Sequence, residues 1–156
     1  MNIRFEIASS NSIGYVYLAE YELFKWHVSH GVSEEDYGAS AENIGTFMND
    51  IKTYYDKHKA KSVVCIVDDV PRGFVGYRKD TDAIYVVSLY VDKDFRNKGL
   101  ARKLIERVHN LTNCTKMKSL ISDQNTESKR FFTKLGFEKQ GKSNIHSMSE
   151  YVLNLK

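Results

Sequence analysis

The chain has 156 residues, 42% of them hydrophobic, with one Pro and nine Gly. That suits one globular domain with a real core and excludes a disordered chain or two units joined by a Pro/Gly linker. Lys and Arg outnumber Asp and Glu by 23 to 20, a surplus too small to mark a nucleic-acid-binding module, although clustered positive charge would suit an anionic ligand.

Taken in chain order, "NIRFEIA" alternates Ile3, Phe5 and Ile7 and predicts a strand. No apolar signal core stands at this N-terminus, and no window is long and apolar enough to span a bilayer, so the expectation is a cytoplasmic protein without a membrane partner. Ser12 can cap a helix running to about His30, with Ile13, Val16, Tyr17, Tyr21, Phe24 and Val28 as its apolar stripe and Gly31 as its stop. "GVSEEDYGAS" is a polar loop, after which Ser40 can cap a second helix carrying Ile44, Phe47, Met48, Ile51 and Tyr55 on one face.

"SVVCIVDD", a turn at "VPRG", and "GFVGYRKD" form a hairpin signal. Cys65 lies inside the first of these runs and is expected to be buried as a small hydrophobe; Cys114 is too distant to suggest a zinc knuckle or a disulfide framework. A turn at "DTDA" leads into the β-run "IYVVSLYV". Then come a helix over "GLARKLIERVHNL", a strand at "KSLIS", a helix over "TESKRFFTKL" with Gly136 as its stop, and two closing strands at "GFEKQ" and "SEYVLNL". The order β-α-α-β-β-β-α-β-α-β-β, with strand–helix–strand units late in the chain and hairpins elsewhere, predicts a mixed, mostly antiparallel α/β sheet flanked by about four helices, residues 1–156 forming a single domain.

The segment richest in chemistry is "LYVDKDFRNKGLARKLI", residues 89–105. Arg96, Lys98, Arg102 and Lys103 crowd a helix start at Gly99 or Leu100. The macrodipole disfavours bases there by a few tenths of a kcal/mol each, so four together ask for a compensating anion. Free amides at a helix N-terminus bind phosphate, and Gly99 would let one approach the backbone. A solvated basic turn explains the charge equally well.

The spacing Arg96-x-x-Gly99-x-Ala101 after a β-run ending in Val91, followed by "NTESKRFFTKLGF", resembles the acyl-CoA signature of the GNAT superfamily of N-acyltransferases. The likeness is strong over residues 63–137. It implies a GNAT-like sheet splayed at a cofactor cleft and direct transfer of an acetyl group from acetyl-CoA to a primary amine of a small molecule or peptide, without a metal. It also implies roles. Leu89, Tyr90 and Val91 would splay at a bulge and hold the pantetheine arm. The amides of Asn97, Lys98, Gly99, Leu100, Ala101 and Arg102 would cradle the pyrophosphate, with Arg96, Lys98 and Arg102 adding charge. Asn125 and Ser128 would meet the pantetheine, although Asn125 is equally placed to cap its helix.

The acid and base are less plain. Relatives carry a Glu or His on the strand before the bulge; here that position is Tyr85, which could orient a water or simply pack on the sheet. Alternation would point Tyr85 and Val87 to one face and Ile84, Val86 and Ser88 to the other. His146 and Asp123 are further candidates, each with a plain structural explanation. Where relatives usually carry a general-acid Tyr, the chain has Phe132, a cleft wall that cannot protonate a thiolate. With Gly136 as C′, Phe132 and Phe137 fall at C3 and C″ and would pack together, Phe131 facing the core. By family analogy the acceptor lies between the first two helices and the late hairpin, where Tyr15 and Trp26, off the main stripe, could line a pocket; "SEEDY", residues 33–37, is a solvated loop. An acyl-CoA-binding sensor or degenerate domain is the alternative. A homodimer is left open.

Overall fold

The computed structural model describes residues 1–40, 42–145 and 147–155; His146 lies outside them. Seven strands form one sheet in the order β1-β2-β3-β4-β5-β7-β6: β1 (Ile3–Ile7), β2 (Lys61–Val67), β3 (Val70–Lys79), β4 (Ile84–Val91), β5 (Lys116–Ser122), β6 (Glu138–Lys142) and β7 (Met148–Asn154). The helices are α1 (Ile13–Ser29), α2 (Glu34–Tyr37), α3 (Ile44–His58), α4 (Leu100–Thr112) and α5 (Thr126–Leu135), with a 3-10 turn at Lys93–Phe95. Neighbouring strands run antiparallel except β4 and β5.

The expected elements are present, with local corrections. The β2–β3 turn is at Asp68 and Asp69, both at positive φ, a two-residue hairpin whose twist suits the strands. "VPRG" lies inside β3, Pro71 opposite Ile66 where the ladder shifts. The loop after α1 contains the one-turn α2, whose first turn is capped by Ser33 accepting from the Asp36 amide. Asn43, not Ser40, caps α3, accepting from the Thr46 amide; Ser40 instead donates its amide to Asp50. Ser12 does stand at the N-cap of α1, but its hydroxyl accepts from the Ser9 amide rather than from the helix.

Two apolar faces hold the sheet. On one, Leu100, Leu104 and Val108 of α4 pack with Val63, Val75, Ile84, Val86 and Met117, each full burial being worth about 1.5–3 kcal/mol. On the other, Val16 and Ala19 of α1 meet Val64, Ile66 and Phe74, and Phe24 packs with Phe47, Ile51 and Tyr55 of α3.

The sheet opens between its two parallel strands. β4 and β5 pair over Ile84↔Met117, Tyr85↔Lys118 and Val86↔Ser119, and then part. At that point the β3–β4 register passes from Tyr77↔Val86 to Gly76↔Ser88, leaving Val87 as an extra residue in β4. Such a bulge bends its strand and shifts every later side chain to the opposite face. Ser88 therefore joins Tyr85 on the α1–α3 side, against the simple alternation expected of the sequence.

Candidate active site

The parted strands border two adjoining spaces. The larger, about 1050 Å³, runs from the free edge of β4 over the start of α4. Leu89, Tyr90, Val91, Arg96, Asn97, Gly99, Leu100, Ala101, Arg102, Asn125 and Ser128 all line it, so most residues expected to meet one ligand are brought together. Lys98 is exposed and off its wall. Arg96 is tied down: its Nε donates to the Val91 carbonyl at 2.8 Å, and its guanidinium lies 5.5 Å from the Tyr90 ring centre.

The α4 start leaves its amides open. Asn97 and Gly99 both take positive φ, 63° and 80°, which turns successive amides to one side. A Cβ on Gly99 would meet nothing within 4 Å, so the space in front of it is open. No side chain caps the helix, and its first turn holds no acid. Among the described residues no acceptor stands in place for the backbone amides of residues 97–102. Orphan amides at a helix start are what a phosphate satisfies.

Asn125 caps its helix and also faces the cleft. Its Oδ1 accepts from the Ser128 amide at 3.0 Å as the cap of α5, while its side of the helix start borders both spaces. At the other end of α5, the Phe137 amide donates to the Phe132 carbonyl and the Gly136 amide to that of Thr133, the two bonds of a Schellman stop. The Phe132 and Phe137 rings meet edge-on at 5.0 Å. Phe132 borders the smaller space; Phe131, expected to face the core, packs against it half-buried and also lines the larger space.

The smaller space, about 390 Å³, is walled by α1, α2, α3, β3, β4, β5, α5 and the β6–β7 end through Glu20, Leu23, His27, Tyr37, Tyr54, Arg78, Tyr85, Ser88, Phe132, Ile145 and Met148 among others. Tyr85 does face it, its ring under the Arg78 guanidinium at 4.6 Å, and Arg78 Nε donates to the Tyr54 hydroxyl at 2.9 Å. Burial, then Tyr54, drives the Tyr85 hydroxyl well above its ordinary value, so it stays protonated at neutral pH and offers no phenolate to act as a base. Asp123 points elsewhere: it accepts from Ser149 at 2.6 Å and from Lys142, and these partners hold its pKa low. Tyr15 donates to Asp92 at 2.6 Å away from both spaces, Trp26 lines the larger space stacked on His30, and of "SEEDY" Asp36 and Tyr37 reach the smaller one.

The residue that sequence reasoning missed is Glu20. It is 1% exposed, with one carboxyl oxygen accepting from Tyr55 at 2.8 Å and the other from Ser88 at 2.5 Å. Burial raises its pKa to about 7, the two hydroxyls holding it back. A signal was present: Glu20 falls on the apolar stripe, one helical step from both Val16 and Phe24, where a carboxylate has no place unless it is used or paired.

A gap between two parallel strands, bordered by a helix start with open amides, marks an α/β domain with a parted sheet. The family is more specific still: residues 32–151 match the acetyltransferase (GNAT) domain, and the chain belongs to that family. The match reaches beyond the region in which the sequence resemblance was strong. Peptidyl-lysine N-acetyltransferase YjaB of Salmonella typhimurium is 28% identical over 88 residues, 56% of this chain; the match spans 57% of that protein's own length, a little over half. Among solved structures, the PaiA N-acetyltransferase of Thermoplasma acidophilum, in complex with coenzyme A, superposes with a TM-score of 0.74 at 15% identity over 99% of both chains. A GNAT-family acetyltransferase of Staphylococcus aureus Mu50 does so with 0.75 at 15% over 99% of this chain and 100% of its own. YncA of Salmonella typhimurium, with its cofactor acetyl-CoA, gives 0.72 at 16% over 100% and 95%. At these identities the likeness is one of fold.

Proposed function

We propose that residues 1–156 act as one N-acetyltransferase unit that moves an acetyl group from acetyl-CoA directly to a primary amine. The observation that carries this is the pairing of two spaces at the parted β4–β5 edge. One is long and ends on unsatisfied amides; the other is short, aromatic and carries a carboxyl.

The residues fit acetyl-CoA. The open face of Gly99 and the free amides of residues 97–102 suit a pyrophosphate, with Arg102 adding charge. The β5-facing edge of β4 at Leu89, Tyr90 and Val91, together with Asn125 and Ser128, suits an amide-bearing arm. When bound, acetyl-CoA supplies an activated acyl thioester; the protein's work is to orient it, exclude water and handle protons. An acceptor amine of lysine-like pKa, about 10.4, must lose a proton first, at a cost of roughly 4–5 kcal/mol at pH 7. Phe132 walls the smaller space without a proton to give. The relative that acts on peptidyl-lysine makes a lysine side chain one candidate acceptor beside free small amines.

The test is release of free CoA thiol from acetyl-CoA across alkylamines, amino acids and lysine peptides, with the acetylated product confirmed by mass. Amine-dependent release is expected. Tight acetyl-CoA binding without turnover on any amine would overturn the enzyme assignment in favour of an acyl-CoA-binding sensor.

A further inference from the structure

Given that acetyltransferase assignment, on which the inference rests, the geometry points to a buried proton relay: the acceptor ammonium hands its proton to the Ser88 hydroxyl while Ser88 passes its own to Glu20. The two residues come from distant parts of the chain. Glu20 sits in the middle of α1 at the back of the smaller space, 1% exposed and with both carboxyl oxygens engaged by hydroxyls, so a substrate reaches its carboxyl through a neighbour. Ser88 is that neighbour. It is half-buried, borders the same space and donates to Glu20 at 2.5 Å. The next residue, Leu89, borders both spaces, so the Ser88 hydroxyl stands where an acceptor nitrogen and a thioester carbonyl would meet. It comes to this face because of the extra residue at Val87.

The rest of the carboxyl's surroundings hold it in place. Tyr55 from α3 donates to its second oxygen at 2.8 Å, and Gly76 makes the room, since a Cβ there would stand 2.3 Å from the Tyr55 hydroxyl oxygen. Tyr55 is a positioning residue. Tyr37 from α2 also faces Glu20 and is driven far up in pKa by burial and then by that carboxyl. Of the other charged or chargeable groups on the walls, Asp36, Arg78, His27, Tyr54 and Tyr85, none is a cause of the Glu20 shift, which comes from burial opposed by Ser88 and Tyr55. A carboxyl titrating near 7 is poised to accept a proton and release it again at neutral pH.

The step balances. One ammonium proton moves to Ser88 Oγ as the Ser88 proton moves to Glu20. The freed lone pair forms the C–N bond at the thioester carbonyl, and the C–S bond breaks with its electrons on sulfur. The nitrogen's surplus proton passes through solvent to the thiolate, and Glu20 returns its proton to solvent.

The experiment compares wild type, Glu20→Gln, Ser88→Ala and Tyr55→Phe, following thiol release against pH. One acceptor is an alkylamine; the other is an arylamine, already neutral at pH 7. Glu20→Gln and Ser88→Ala should lose about 10²–10⁴-fold in kcat/KM with the alkylamine and far less with the arylamine, while acetyl-CoA affinity holds. The acid limb near pH 7 should vanish in Glu20→Gln and move to higher pH in Tyr55→Phe, which removes a hydrogen bond that lowers the Glu20 pKa. Equal losses with both amines, or an acid limb that survives Glu20→Gln, would overturn the relay while leaving the acetyltransferase assignment intact. A wild type that turns over neither amine despite binding acetyl-CoA would overturn both.

Discussion

Replacing Glu20 by Gln should stabilise the protein in alkali and not in acid. Burial raises this carboxyl from an ordinary 4.5 to about 7, so the native state holds a proton that the unfolded chain has released throughout that window. Stability gained from the neutral form is fully present below about pH 4.5 and is lost as pH rises towards 7. The ionised form at pH 8 therefore carries a penalty of about 3 kcal/mol, of which less than about 1 is present at pH 5. Gln keeps the shape and cannot ionise. Its amide replaces one acceptor by a donor beside two hydroxyls, a mismatch of about 1 kcal/mol that is the same at both pH values. The variant's stability relative to wild type should thus swing by about 2–3 kcal/mol in its favour between pH 5 and pH 8, or roughly 5–10 °C in melting temperature for a chain of this size. Differential scanning calorimetry at the two pH values measures that swing. A difference between variant and wild type that does not depend on pH would refute a high Glu20 pKa. A swing combined with lost turnover would mean that the carboxyl is kept at the expense of stability.

Gly99→Ala should cost about 1–2 kcal/mol of backbone strain at φ 80° and weaken acetyl-CoA binding well beyond that, because the new methyl enters the open space before the amides; melting and dialysis measurements separate the two effects. Gly76→Ala should destabilise by about 1–3 kcal/mol through overpacking against Tyr55; pairing it with Tyr55→Phe should cost less than the sum of the two alone, as read from urea unfolding. Phe132→Tyr should leave acetyl-CoA affinity nearly unchanged and raise turnover by putting a proton donor on the wall of the smaller space; turnover that stays flat at every pH would count against slow protonation of the leaving thiolate.

Much of the molecule was written locally enough to be read from the sequence. The α4 start was legible because charge, Gly99 and the preceding strand lie within a few residues, and the Phe132–Phe137 stop because a Schellman motif is a local rule. The hairpin at Asp68 and Asp69 was missed because Pro71 drew the turn to itself, although two consecutive Asp tolerate positive φ nearly as well as Asn. The proton relay could not be read by the same means. Ser88 reaches its face through the bulge at Val87, which no alternation rule foresees, and Tyr55 reaches Glu20 across a gap left by Gly76 on another strand. What the sequence did carry was an unexplained acid on an apolar stripe.

Equilibrium dialysis of labelled acetyl-CoA against the protein tests the central claim most directly, because every step proposed for the β4–β5 gap presupposes that it is filled. Saturable binding of one molecule per chain is expected, weakened by Gly99→Ala and by raised salt, as amide- and charge-held phosphate requires. Absence of binding at near-millimolar acetyl-CoA, or binding indifferent to Gly99→Ala, would contradict it.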